Sequence, residues 1–183
     1  MTARISKLAF ALSILSAVTA ICLAIPGTAQ PAQAQTSTSE LATLDHGVLQ
    51  QLNAIRKLHD LTPLTLDASL SRSASQHTVE MGLKGYFEHN SADGTAFWKR
   101  IERFYPSSSF GYWSVGENLL WSSPDVDPAQ AMQMWMNSPE HRANILNPRW
   151  RQIGVSSVHF DTAPGTYQNL AVTIITTDFG VRR

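Results

Sequence analysis

The sequence predicts an α+β fold, an α-β-α sandwich with a small central antiparallel sheet packed between helices. Three observations carry this expectation. Apolar residues at helical spacing run from Leu44 to Phe104, a strand-like apolar segment follows around Trp113–Trp121, and the last part of the chain reads as a β-hairpin. There is no internal repeat and no linker long enough to divide the chain into two cores.

Leu44, Val48, Leu52 and Ile55 share one helical face, so the first element is an amphipathic helix that stops before Pro63. Asp67 is placed to cap a second helix with the stripe Leu70, Ala74, His77 and Met81, and Gly85 is placed to end it. His77 therefore faces the core, as a buried, hydrogen-bonded histidine. Asp93-Gly94 forms a turn, Thr95 opens a short helix with Phe97, Ile101 and Phe104 on one side, and Pro106 closes it. Asp127-Pro128 and Ser138-Pro139 each pair a capping residue with proline at the first helical position, so each starts a helix. The hairpin has strands at about 152–160 and 167–177, joined by a loop containing Pro164-Gly165. The continuous apolar run from Leu170 to Ile175 suits a central strand covered on both faces.

The N-terminus predicts export. Arg4 and Lys7 precede an apolar run from Leu8 to Ile25, Pro26-Gly27 breaks it, and Ala32-Gln33-Ala34 supplies small residues for cleavage. Residues 1–34 read as a signal peptide, 35–43 as a disordered linker and 44–183 as one domain. A retained anchor is the alternative, because the run approaches bilayer length. The expected location is secreted, periplasmic or extracellular. Cleavage would remove Cys22, the only cysteine, so the domain would hold by packing without disulfides. It would also leave 12 of the 14 basic residues against 14 acidic ones, with no basic run, which argues against a nucleic-acid partner. No later stretch is long and apolar enough for a membrane span.

Several catalytic signatures are absent: a His-Glu-x-x-His helix, a Gly-x-Ser-x-Gly elbow, a P-loop, and any cysteine after the leader. The candidates left are histidines and acids near element ends. His89 follows the second helix, outside its apolar stripe. Glu117 lies between Val115 and Leu119, where a carboxylate needs a partner, and a histidine is a natural one. His141 falls in the first turn of the helix begun by Ser138-Pro139, where the dipole favours neutral imidazole, the form a metal ligand or general base needs. The structural alternative stays open: His141 caps its own helix while Arg142 and Asn144 bond loop carbonyls.

The groups Gly85-Tyr86-Phe87-Glu88-His89, Gly116-Glu117-Asn118-Leu119 and Trp135-Met136-Asn137-Ser138-Pro139-Glu140-His141-Arg142-Ala143-Asn144-Ile145-Leu146, with Ile153-Gly154-Val155 and Asp178-Phe179-Gly180, resemble the CAP superfamily in its bacterial SCP-like form. That superfamily takes in cysteine-rich secretory proteins, antigen 5 and pathogenesis-related proteins. The resemblance implies an α-β-α sandwich with a cleft lined by two histidines and two glutamates. His89, Glu117 and His141 match three of these. The second glutamate does not transfer, because its position holds Ser138, and Glu140 would project differently from the helix end.

Two function classes follow. One is an extracellular or envelope binding module whose cleft takes an envelope component, a small apolar molecule or a divalent metal such as zinc on His89 and His141. The other is an extracellular hydrolase of peptides or wall polymers, with Glu117 orienting a histidine. Ser91 and Ser138 are candidate nucleophiles, and neither has triad spacing. Among the five tryptophans, most are expected in the core.

Overall fold

The computed structural model describes residues 38–183. The expected signal peptide lies outside the described residues. So does the start of the expected linker, but its remainder is corrected: helix α1 spans Thr38–Leu58, so 38–43 are helical. Ser157 on the sheet explains the earlier start, since its hydroxyl donates to Asp45 Oδ1 at 2.6 Å and reaches Leu41 O at 3.4 Å.

Strand β1 (Thr65–Leu66) is followed by α2 (Ala68–Lys84), α3 (Phe97–Phe104), β2 (Trp113–Ser122), α4 (Pro128–Asn137), α5 (Pro139–Ile145), β3 (Gln152–Ala163) and β4 (Leu170–Arg182). The sheet order is β1-β3-β4-β2. β4 lies antiparallel between β3 and β2, as its apolar run requires, while β1 joins the edge of β3 in parallel. This two-residue strand went unread in the sequence because it is too short to show periodicity.

Period-two alternation sorts the strands onto two layers. Ile153, Val155, Ile175, Phe179 and Val181 pack with Val48 and Leu52 of α1, Met132 and Trp135 of α4, and Ile145 of α5. The opposite face carries Val158, Phe160, Val172 and Ile174 against Met81 of α2, while Leu70 of α2 packs with Ile101 of α3 and with Tyr105. The α-β-α sandwich expected from the sequence is therefore the fold.

The caps follow local chemistry. Asp67 accepts from the Ser69 and Leu70 amides, and Gly85 ends α2 at φ 71°, in the left-handed region that favours glycine. Asp127 and Gln130 form a full capping box at α4. Ser138 sits at the N-cap of α5 without a side-chain cap bond, so there the proline alone favours the start. At α3 the expectation is corrected: the N-cap is Ala96, and Thr95 instead closes a turn by donating its amide to Asp93 Oδ1 at 2.8 Å.

Candidate functional site

Strand β2 is the edge of the sheet, and its neighbouring residues Glu117 and Asn118 point to opposite faces. The cleft straddles this edge. His89, on the loop from α2 to α3, approaches from one helical layer, and α5 brings Glu140 and His141 from the other. Together with Ala143, Asn144 and Asn147 these residues enclose about 370 Å³. The four residues named from the sequence thus come together, Glu140 included. Glu140, in the first turn of α5 after the N1 proline, lines the cleft although the sequence left its membership in doubt.

Glu117 is the buried hinge of the arrangement. Its Oε1 meets His89 Nδ1 at 2.8 Å, and its Oε2 pairs with Arg100 Nη2. Arg100 Nη1 also donates to the His89 backbone carbonyl at 2.9 Å. One guanidinium, itself 1% exposed, therefore fixes both the carboxylate and the backbone of the histidine it orients. With Glu117 accepting at Nδ1, Nε2 keeps its lone pair. The His89 side chain is half exposed, in contrast to the wholly buried Glu117 side chain.

Burial pushes both imidazoles down, toward the neutral form. For His89 the Arg100 charge adds to this and Asp178 and Glu140 oppose it, while for His141 the His89 charge adds to it and Glu140 opposes it. Burial lifts Glu117 to about 7 despite the Arg100 charge beside it. Asp178, facing Glu117 across the β2–β4 ladder, is raised well above the carboxylate range by complete burial and by the Glu117 charge. Among the described residues no hydrogen bond of good geometry reaches either Asp178 carboxyl oxygen, although Ser73 and Glu117 lie close enough to act on it. Two carboxyls and one guanidinium thus share a buried space, and Asp178 is the natural holder of a proton there.

The second layer is sewn to β2 by amides. Asn118 Nδ2 donates to His141 O at 3.1 Å, and Asn144 Nδ2 donates to Glu117 O at 3.1 Å and Asn118 Oδ1 at 3.0 Å. Trp150 Nε1 donates to Asn144 Oδ1 at 3.0 Å. Gly116 permits this approach, because a Cβ there would lie 2.7 Å from Asn144 Oδ1. His77 is core, as expected: wholly buried, depressed to about 4 chiefly by burial, with Nε2 donating to Glu88 O at 2.9 Å. It braces the loop just before His89.

Arg100 and Asp178 were missed in the sequence. Asp178 lies in β4, between Thr177 and Phe179 and just past its apolar run, so the argument about lone carboxylates applied to Glu117 extends to it. Arg100 carried no such signal, since arginine on an amphipathic helix ordinarily faces solvent. Ser91 and Ser138 do not line the cleft. Trp135 and Trp150 are core, whereas Trp98 is 42% exposed. A larger groove of about 790 Å³ lies elsewhere, between α1 and the start of α4, where His159 pairs with Asp125.

Both Glu117 oxygens are committed to His89 and Arg100, and among the described residues no three His, Cys, Asp or Glu side chains are grouped to hold an ion. The residues as placed do not fit a metal centre with three protein ligands.

The sandwich fold defines a class of protein, and comparison with known proteins places the chain in it. The model of the cysteine-rich secretory protein family (CAP) matches residues 49–172, and the chain belongs to that family. Among curated proteins it is 34% identical over 134 residues to the uncharacterized protein YkwD of Bacillus subtilis (strain 168), covering 73% of this chain and 50% of YkwD. The chain thus spans half the length of that relative. Among solved structures, an extracellular SCP-domain protein of Bacillus anthracis str. Ames aligns with TM-score 0.58 and 26% identity, covering 82% of this chain and 45% of that one. An outer surface protein of Borrelia burgdorferi shares the fold at TM-score 0.61 and 21% identity, covering 81% of this chain and 97% of that one.

Proposed function

We propose that this CAP-domain chain is an exported recognition module that takes a polar ligand between His89 and His141. Export is supported by the leader-like N-terminus and by two fold neighbours described as an outer surface protein and an extracellular protein. Among the described residues no helix is long and apolar enough to cross a membrane. The observation that carries the recognition reading is the commitment of Glu117. With its oxygens held by Arg100 and His89, the groups offered to a ligand are two imidazoles tuned toward neutrality, with the Glu140 carboxylate beside them. Of the eight residues lining the cleft only Ala143 is apolar, which favours a polar envelope component over a small apolar molecule.

Soluble fragments of envelope polymers, titrated calorimetrically into the protein and into its His89→Ala and His141→Ala variants, test this. Each variant is expected to bind at least tenfold more weakly, and equal binding by all three would remove the cleft from recognition. Zinc titrated into the same proteins tests the metal version, which unchanged heats in both variants would eliminate. Hydrolysis is the second reading, favoured by the Glu117–His89 pair, because a carboxylate at Nδ1 orients an imidazole for general-base work at Nε2. It requires an activity that Glu117→Gln abolishes.

A further inference from the structure

Just after α5, the chain gathers positive charge that pairs with no acidic side chain among the described residues. A cavity of about 430 Å³ is lined by Tyr112, Pro148, Arg149, Arg151, Val181 and Arg183. We propose that this cavity is an anion site for a phosphate group, distinct from the His89 cleft.

Three arginines reach it, and among the described residues none of the three forms an ion pair with a carboxylate. This is not the reflection of a basic chain, whose formal net charge is zero. Repulsion between like charges favours spreading them, so an uncompensated group of guanidiniums creates a local field that a bound anion relieves. Arg56 deepens that field from behind. It is wholly buried and repelled by Arg151, and among the described residues it donates only to the carbonyls of Thr62, Ile145 and Asn147 and leaves Nη2 without a partner.

The donors are also pre-set. Arg151 Nη1 donates to the carbonyls of Pro148, Arg149 and Trp150 at 2.7, 3.2 and 2.8 Å, which anchors that side of the guanidinium. Among the described residues nothing engages its Nε or Nη2. Arg183 lies over the Tyr112 ring at 5.0 Å, and the two residues exchange backbone hydrogen bonds at 2.9 and 3.0 Å. Arg149 has its amide fixed by Asn147 Oδ1 at 3.0 Å, while its side chain has no partner among the described residues. Three guanidinium forks offer more donors than the two oxygens of a carboxylate can use. A phosphate, with more acceptor oxygens and up to two charges, matches them better. The volume also leaves room for the group that carries the phosphate.

The same chemistry is offered by a soluble phosphate and by an anionic lipid headgroup, so the test has two arms. Inorganic phosphate is titrated into the full chain at low ionic strength, with chloride of equal ionic strength as control. Vesicles of phosphatidylglycerol, and of phosphatidylcholine as control, are then sedimented with the protein. The expected result is saturable phosphate binding that the Arg149→Gln/Arg183→Gln double variant weakens at least tenfold and His89→Ala leaves unchanged. Both substituted side chains lack structural hydrogen bonds, and circular dichroism checks that the variant is folded. Sedimentation with phosphatidylglycerol that free phosphate competes away assigns the headgroup. Phosphate binding without sedimentation assigns a soluble ester. Binding unaltered by the double variant, matched by chloride, or absent would overturn the proposal. Loss of binding in His89→Ala would also overturn it, by moving the anion to the other cleft.

Discussion

At the His89 cleft a guanidinium and two carboxyls are buried together, whereas beside Tyr112 three guanidiniums gather at the surface with no carboxylate in ion-pair reach among the described residues. The first region answers its charges internally: Arg100 neutralises Glu117, and Asp178 can keep its proton. Burial forces that solution, because an unpaired ion away from water costs several kcal/mol. The second region is solvated, so its charges can stand unpaired at little cost and remain available to a ligand. Internal pairing therefore marks residues that position other residues, while uncompensated surface charge marks residues that can bind.

The most severe way to break this contrast is Arg100→Leu. It strands Glu117 beside Asp178, and a loss of about 3–5 kcal/mol is expected in denaturant unfolding at pH 8. At pH 5 the loss should be smaller, since Glu117 can then take a proton. Equal losses at both pH values would mean that Arg100 acts through packing alone.

Glu117→Gln sharpens the same comparison through pH. An acid raised in the folded state contributes stability that is complete below its unfolded value of 4.5 and lost as pH rises through about 7. His77 works oppositely: depressed from 6.5 to about 4, it contributes stability present above 6.5 and lost as pH falls through about 4. The variant keeps only the second effect. Its melting temperature should therefore fall more steeply than the parent's between pH 7 and 4.5, a difference on the order of 2 kcal/mol in stability. Parallel melting profiles would place no titration on Glu117.

At the arginine cavity the expected effect is smallest and of opposite sign. The Arg149→Gln/Arg183→Gln pair should leave stability within about 0.5 kcal/mol, slightly higher at low salt as repulsion is relieved. The gain should vanish at 1 M salt, where screening acts within a few ångströms. A clear loss at low salt would show that these arginines hold the fold and are not free for a ligand.

Much of the architecture could be read before any coordinates. Asp67, Gly85, Asp127 and Pro139 mark helix ends by chemistry within a few residues of themselves, and the structure uses each at an end. Thr95 misled because its amide is held by Asp93 in the turn, which leaves Ala96 to begin the helix. The start of α1 was missed because its first turns resemble a polar tether, and their link to the sheet comes from Ser157, over a hundred residues away. At the site, Glu117 was legible from the cost of a lone carboxylate in an apolar strand. That it would pair with a histidine was an expectation about residue type, and neither the choice of His89 nor the part of Arg100 was within it.

The sequence by itself determined the caps of α2 and α4, the central position of β4, the family, and the three residue types at the cleft, because each rests on local pattern or ordered motifs. Only the tertiary structure decided which charges meet. The pairing of Arg100 with Glu117, the placing of Asp178 opposite it, the admission of Glu140 to the cleft and the gathering of Arg149, Arg151 and Arg183 all bring together groups from different elements. Electrostatic interaction depends on distance in space and on exclusion of water, and neither is encoded at any single position of the chain.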